Sequence, residues 1–340
     1  MTDLAGGLRE RPARCRFGPH AARKTAALAP GLNPAFSRAE AGGGHPMLQW
    51  RMDPNATPLP SLFISHGSPM TALEPREAGM FMQRLGPAIT SRFGRPRAIL
   101  AVSAHTLVPA SAPVVLLAGA RHEAVYDFGG FDPKLRTLRY DVPGAPALAA
   151  SIAARLEAAG VPARTLDQGG LDHGIWTPLR YAFPDAEVPV LPLAFSAQWS
   201  PERLTALGAA LAPLAAEGVL VMASGSLTHN LRRVFGGPQP DIGAPEVRES
   251  AEFRRWVAER AAARDWAALR DYRSQAPHAV DMHPTDEHWL PFYVAAGVGG
   301  ESQPGLRIHA SLTFGCLAMD AYAFGPGAAA LAEALEAVAA

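Results

Sequence analysis

From Leu59 onward, short runs of apolar and β-branched residues alternate with longer Ala- and Leu-rich stretches. The short runs have the length and composition of strands, and they predict strands over 61–65, 98–102, 113–117, 188–193, 219–223 and 307–314. The longer stretches predict helices over 146–159, 201–216, 245–272, 287–296 and 328–339. Strands that alternate with helices are typical of a sheet covered by helices on both faces. The predicted fold class is therefore α/β, with a central mixed, twisted sheet.

The first part of the chain differs from the rest. Residues 1–57 contain many Arg, Ala, Gly and Pro residues and show no hydrophobic periodicity, which is typical of a disordered extension. Met47 and Met52 would also allow a mis-assigned start. Residues 58–340 contain no evident linker or repeat, so we predict one domain there.

Charge and cysteine content exclude several classes of partner. Lys plus Arg and Asp plus Glu each number 31, which leaves no basic excess to neutralise nucleic-acid phosphates. No stretch of about 18 residues is uniformly apolar, so we expect no membrane span. The two cysteines, Cys15 and Cys316, are too few for a disulfide framework. With no signal-peptide core, they favour a cytoplasmic protein.

Three predicted strands end near a histidine. His66 follows 61–65, His105 follows 98–102, and His229 comes shortly after 219–223. In open α/β sheets, ligands bind outside the carboxyl ends of the strands. We therefore expect these three side chains at one site.

Two further histidines lie in comparable surroundings. His173 lies in a glycine-flanked loop, and His288 lies at the predicted start of a helix. Five other histidines have no special context and are interpreted as ordinary loop, strand or extension residues: His20, His45, His122, His278 and His309. Because imidazole is the commonest nitrogen ligand for Zn, Fe and Cu, five histidines in such positions predict a metal site at the strand carboxyl ends.

Six segments in order resemble one known family: LFISHGSPM, AILAVSAHT, YDFGGF, GGLDHGIW, VMASGSLTHNL and HPTDEHWLP. Together they are similar to the class III extradiol ring-cleavage dioxygenases, and most similar to the DOPA 4,5-dioxygenase type. The resemblance covers roughly residues 59–323. It implies that residues 58–340 form a catalytic domain that opens the ring of a small-molecule catechol with O2.

The resemblance also implies roles for the five histidines. His66 and His105 would bind the metal, and His229 and His288 would complete a four-histidine zinc site. His173 would line the pocket and assist catalysis. Two positions depart from the family pattern: Thr106 stands where relatives usually have tryptophan, and Glu287 beside His288 leaves two candidates for the last ligand.

The implied chemistry limits the choice of metal. Zn(II) has no redox chemistry and fills a closed tetrahedral shell, whereas Fe(II) on a three-ligand site leaves positions open for a catechol and O2. We therefore expect bound Zn(II), with Fe(II) required for ring cleavage. His229 and His173 are the predicted proton-transfer residues. Because Fe(II) needs open positions for the catechol and O2, one histidine must leave the metal. We expect this to be His229, because the composition of the segment 225–228 is typical of a flexible loop.

Two other classes of function remain open. Histidine ligands beside a carboxylate such as Glu287 or Asp172 would also suit a zinc-dependent hydrolase, although the helical HExxH pattern is missing. A non-catalytic binding protein on the same fold is the other alternative.

Overall fold

A computed structural model describes residues 57–339 of the protein. The predicted extension over residues 1–57 lies outside the described residues except for Thr57. None of the described helices is both long enough and apolar enough to span a membrane.

The strands of the described residues are β1 (Ser61–Ser65), β2 (Ala98–Leu107), β3 (Val114–Leu117), β4 (Arg121–His122), β5 (Val142–Pro143), β6 (Ala163–Leu166), β7 (Val190–Phe195), β8 (Val219–Gly225), β9 (Leu306–His309), β10 (Leu312–Thr313), β11 (Leu317–Ala318) and β12 (Ala321–Phe324). Eight of them form one mixed sheet in the order β6-β3-β7-β2-β8-β1-β12-β9, and two short antiparallel pairs, β4 with β5 and β10 with β11, lie outside it. The central strands β7, β2, β8 and β1 run parallel to one another, whereas β12 is antiparallel to β1 and β9 is antiparallel to β12.

Helices cover both faces of this sheet. They are α1 (Arg76–Phe93), α2 (Pro146–Ala158), α3 (His173–Ala182), α4 (Pro201–Leu211), α5 (Pro213–Ala216), α6 (Leu231–Phe235), α7 (Arg248–Ala263), α8 (Trp266–Arg270), α9 (Tyr272–Gln275), α10 (Ala279–Met282), α11 (Pro291–Gly299) and α12 (Ala328–Ala339). Two short 3-10 helices, Pro69–Ala72 and Pro133–Thr137, complete the helical elements of the described residues.

The buried side chains form two large clusters, one on each face. In β1, Phe63 belongs to the cluster under α4 and α11, whereas Leu62 and Ile64 belong to the cluster under α1 and α3. The same alternation along β2 and β8 reflects the period of two of a strand. The α/β class with a mixed central sheet and helices on both faces is thus confirmed.

Several predicted elements differ in detail. The predicted helix 245–272 ends early, because Arg264 adopts a left-handed conformation (φ 59°) after α7. The helix predicted from residue 287 begins only at Pro291, so His288 lies in the preceding turn. His173 is the first residue of α3 and not part of a loop.

Candidate functional site

The register of three neighbouring strands brings their carboxyl ends together. β8 lies between β1 and β2, with Ser65 paired to Gly225 and Ser103 paired to Ser224. His66 follows β1 directly, and its backbone N–H donates to the Gly225 carbonyl at 3.0 Å. Because all three strands are parallel, the residues after them lie at the same edge of the sheet.

Three imidazole nitrogens converge at this edge. The Nε2 atom of His105 lies 3.1 Å from Nε2 of His66 and 3.2 Å from Nε2 of His288. Ligand nitrogens on a tetrahedral Zn(II) at the usual bond length are roughly 3.3 Å apart. The spacing of these three atoms therefore fits a single metal ion.

The outer nitrogens of the same rings face acceptors. The Ser224 hydroxyl donates to the Gly174 carbonyl at 2.5 Å, so its oxygen accepts the N–H of His66 Nδ1 at 2.9 Å. Nδ1 of His288 lies 3.2 Å from Glu287 Oε1. A proton on Nδ1 leaves the lone pair on Nε2, which is the form that a metal requires. These nitrogen donors thus fit a metal ion. Glu287 contacts His288 at Nδ1, which is not the nitrogen that faces His105.

A close backbone approach places His288. A side chain at Gly225 would put its Cβ 2.1 Å from the His288 carbonyl oxygen, and the same carbonyl accepts the N–H of Ser226 at 2.9 Å. Only glycine allows β8 to pass so close to the turn before α11.

His229 lies on the other side of His288. The two rings are stacked with centroids 3.4 Å apart and planes inclined by 11°. Donor atoms of His229, Glu287 and His288 lie within 4.8 Å of one another, as do those of His66, His105 and His288. His229 thus lies beside the three converging nitrogens, because its ring contacts His288, which supplies one of them.

The segment that leads to His229 is buried and hydrogen-bonded. The Leu227 carbonyl accepts from His283 Nε2 at 2.8 Å, the Thr228 hydroxyl donates to the Cys316 carbonyl at 2.7 Å, and the His229 N–H donates to the Met282 carbonyl at 2.8 Å. The expectation of a flexible loop over 225–228 is therefore wrong. Side-chain and backbone groups fix it to two other parts of the chain, the segment 282–283 and Cys316.

His173 forms a pair with Asp127. Its Nδ1 lies 3.0 Å from both carboxylate oxygens, and its backbone N–H also donates to Asp127 at 3.0 Å. The ring centroid of His173 is 4.2 Å from that of His105 and 5.2 Å from that of His66. Asp127 also lies 3.6 Å from Nδ1 of His105, so one carboxylate contacts two histidines.

Burial keeps His66, His229 and His288 neutral. It lowers the pKa of His66 and of His288 well below the ordinary value, and the neighbouring imidazoles lower both further. Burial, then the nearby His283, lowers the pKa of His229 to about 3. Burial alone would raise the pKa of Asp127, but the hydrogen bond and charge of His173 hold it below its usual value. The neutral imidazoles of His66, His229 and His288 near the ionised Asp127 carboxylate favour a cation.

Access to the site is from one side. His66 and His288 are 2% and 5% exposed, whereas the side chains of His105 and Asp127 are 24% and 22% exposed. His66 and His288 thus form the floor, and His105 and Asp127 face the opening. Phe128 packs edge-on against His173 at 5.7 Å, while Trp176 and Trp289 are fully buried core residues.

Two contributors were missed or undervalued from the sequence. Asp127 has no sequence signal apart from the resemblance of the YDFGGF segment. His283, which supports the His229 segment, stands five residues before His288 and gives no sign in the sequence that its ring points into the core.

Comparison with known proteins gives consistent matches. Residues 60–324 match the profile of a family described as the catalytic LigB subunit of aromatic ring-opening dioxygenase. The chain is 33% identical over 271 residues to a 4,5-DOPA dioxygenase extradiol of Beta vulgaris, which covers 78% of this chain and 96% of the relative. It is 32% identical over 255 residues to one of Escherichia coli (strain K12), covering 74% and 89%. A crystal structure of an uncharacterized protein from Escherichia coli K12 matches with a TM-score of 0.61 at 25% identity, covering 78% of this chain and 100% of that one.

Proposed function

Since this chain belongs to the LigB family of aromatic ring-opening dioxygenases, we propose that it is a metal-dependent extradiol dioxygenase that opens the ring of a DOPA-like catechol with O2. The observation that best supports this function is the convergence of the Nε2 atoms of His66, His105 and His288. In the reaction the carbon–carbon bond beside the two hydroxyl groups breaks. Both atoms of O2 enter the product, which bears one aldehyde and one carboxylate.

In this proposal His66, His105 and His288 hold the metal, and His229 is the fourth ligand when the ion is Zn(II). Fe(II) is the ion expected for ring cleavage, and when bound it would supply positions for the two catechol oxygens and for O2. Ser224 and Glu287 keep the Nδ1 protons of His66 and His288 away from the metal side.

His173 is proposed as one proton-transfer residue. Because Asp127 accepts the proton on Nδ1, the lone pair of His173 lies on Nε2, where the ring can take up a proton from a catechol hydroxyl. The Asp127 carboxylate would stabilise the imidazolium that forms. Phe128 packs edge-on against the His173 ring.

His229 is proposed as the other proton-transfer residue. Its ring is neutral at physiological pH because burial lowers its pKa to about 3, so it can accept a hydrogen bond from a catechol hydroxyl. Its stacking on His288 fixes the ring plane beside the metal ligands. His229 would act as a ligand in the Zn(II) protein and as a base in the Fe(II) protein.

The partners proposed are a small-molecule catechol and O2, with no nucleic acid and no membrane. The cytoplasmic location stays a prediction based on cysteine content. The exposed edges of His105 and Asp127 support entry of the catechol past these two residues, toward the buried His66 and His288.

The test is anaerobic reconstitution with Fe(II), addition of a panel of catechols that includes DOPA, and then exposure to air. We expect a yellow ring-opened product and the consumption of one O2 for each catechol that is cleaved. Release of a colourless product from an ester or amide, with no O2 uptake, would instead support a zinc hydrolase. A protein that binds catechols but converts none would support the non-catalytic alternative.

A further inference from the structure

The first turn of α3 connects the strands that position His66 and His105. The Gly174 carbonyl accepts from Ser224 on β8, whose oxygen in turn accepts the Nδ1–H of His66. The preceding residue, His173, contacts Asp127. The residue before it, Asp172, contacts β2. Three consecutive residues of one helix start thus contact three different parts of the site.

The contact of Asp172 with β2 consists of two hydroxyl donors. Ser103 Oγ donates to Asp172 Oδ1 at 2.7 Å, and Thr106 Oγ1 donates to Asp172 Oδ2 at 2.5 Å. The two donors lie on either side of His105 in the sequence, and the backbone N–H of His105 itself donates to Ser103 Oγ at 3.2 Å. Each oxygen of one carboxylate is therefore bonded to the strand segment that contains His105.

Neither helix capping nor metal binding accounts for this arrangement. Asp172 is the N-cap residue of α3, but its side chain makes no capping hydrogen bond to the helix. Within residues 57–339 it belongs to none of the groups whose donor atoms could share a metal ion. Asp172 is 6% exposed, and a buried carboxylate that lost one of these donors would be left partly unsatisfied.

We propose that Asp172 is a positioning residue, and that Thr106 and Ser103 fix its carboxylate so that His105 and His173 keep their mutual placement. The rings of His105 and His173 have centroids 4.2 Å apart, and Asp172 connects the two backbones that bear them. Without the Thr106 hydroxyl, Asp172 Oδ2 would lose a donor at a buried position, and the carboxylate would have to turn to regain one. His105 would then shift relative to the first turn of α3.

The experiment compares Thr106→Val, which removes the hydroxyl at nearly constant shape, with Thr106→Ser, which keeps it. The full chain is loaded with Co(II) as the probe, because the visible absorption of Co(II) responds to ligand placement without turnover. Affinity for Co(II) is measured by competition with a chelator. Thr205→Val is the matched control, since it removes a hydroxyl that donates to the Pro201 carbonyl on α4.

We expect Thr106→Val to weaken Co(II) binding about tenfold, as is usual when a group behind a metal ligand is lost, and to shift the absorption bands. Thr106→Ser should restore both to near the wild-type values, and Thr205→Val should change neither. With a catechol and Fe(II), Thr106→Val should lower kcat about tenfold and leave KM within about twofold. Ser103→Ala provides a second variant with the same expected pattern if Thr106→Val does not fold.

The proposal is overturned if Thr106→Val keeps the wild-type Co(II) affinity and spectrum, whatever its thermal stability. It is also overturned if Thr106→Ser is as impaired as Thr106→Val, because the effect would then come from packing of the methyl group. The kinetic part rests on the proposed function. If the wild-type protein cleaves no catechol, that function fails, while the Co(II) measurements still decide the role of Asp172.

Discussion

The imidazole rings of His229 and His288 lie parallel, with centroids 3.4 Å apart and an angle of 11° between their planes. Two cations could not be held so close in a buried site, and the pKa values of both rings are lowered, first by burial. Separate backbone hydrogen bonds hold the two residues. The His229 N–H donates to the Met282 carbonyl, and the His288 carbonyl accepts from the Ser226 N–H. The stack brings His229 next to the site, and only one of its two rings belongs to the three converging nitrogens.

Removal of His66 or His105 should prevent metal binding. Each supplies one of three converging Nε2 atoms, and its loss as His66→Ala or His105→Ala removes a bond that no neighbour replaces. We expect the ratio of metal to protein to fall close to zero in elemental analysis. The control is His278→Ala, which alters a histidine paired with Glu252 away from the site. Full occupancy in either site variant would mean that the altered residue is not a ligand.

The variant His229→Ala should separate binding from catalysis. His66, His105 and His288 would still hold Fe(II), so we expect most of the iron to remain. The rate of ring cleavage should fall by about two to four orders of magnitude, the usual effect of losing a proton-transfer residue. Iron content and single-turnover rate are measured on the same sample. Loss of iron in parallel with His66→Ala would make His229 an obligatory ligand and assign the proton transfer to His173.

The variant Gly225→Ala should disturb the placement of His288. The new Cβ would lie 2.1 Å from the His288 carbonyl oxygen, so the turn before α11 would have to move. We expect a loss of about 1–3 kcal/mol in the free energy of unfolding, typical of overpacking, together with weaker metal binding. Gly237→Ala is the matched control, because no atom lies within 4 Å of its added Cβ. Equal metal affinity in the two variants would contradict the assigned role of Gly225.

The metal-free protein should lose stability in mild acid. Burial lowers the pKa of His283 to about 4, whereas the unfolded chain binds the proton near pH 6.5. Because the folded pKa is the lower one, this histidine has no effect above about pH 6.5. Below that, it reduces the free energy of unfolding by up to about 1.4 kcal/mol per pH unit, until the pH falls through about 4. Urea titrations of the wild type and of His283→Leu over this range should show a shallower pH dependence in the variant; identical slopes would contradict the prediction.

Much of the fold could be predicted from the sequence, as could the position of His66 directly after β1. His173 and His288 were expected in a loop and at a helix start, but they lie at the start of α3 and in a turn. β1 and β8 are marked by uninterrupted apolar runs, and a parallel sheet brings their ends together by geometry alone. The extension of β2 through Leu107 was missed, because Ser103, His105 and Thr106 do not have the composition of a buried strand. Those polar residues are paired with Asp172, His66 and His288, which only the tertiary structure reveals.

The supporting contacts could not be predicted for a related reason. The segment 225–228 contains Gly, Ser and Thr, which are typical of a flexible loop, yet its hydroxyl groups bond to Cys316 and to neighbouring backbone. Short polar side chains suit a mobile loop and a buried, fully bonded turn equally well. The partners lie far away in the sequence, so local composition does not distinguish the two cases.

The most direct test of the proposed function is a single turnover of the Fe(II)-loaded protein with DOPA under labelled ¹⁸O2, followed by mass spectrometry of the product. Our account predicts a ring-opened product that contains both atoms of the labelled O2, and its absence in the His66→Ala protein. A product with no label, or equal product from His66→Ala, would contradict extradiol cleavage at the His66, His105 and His288 site.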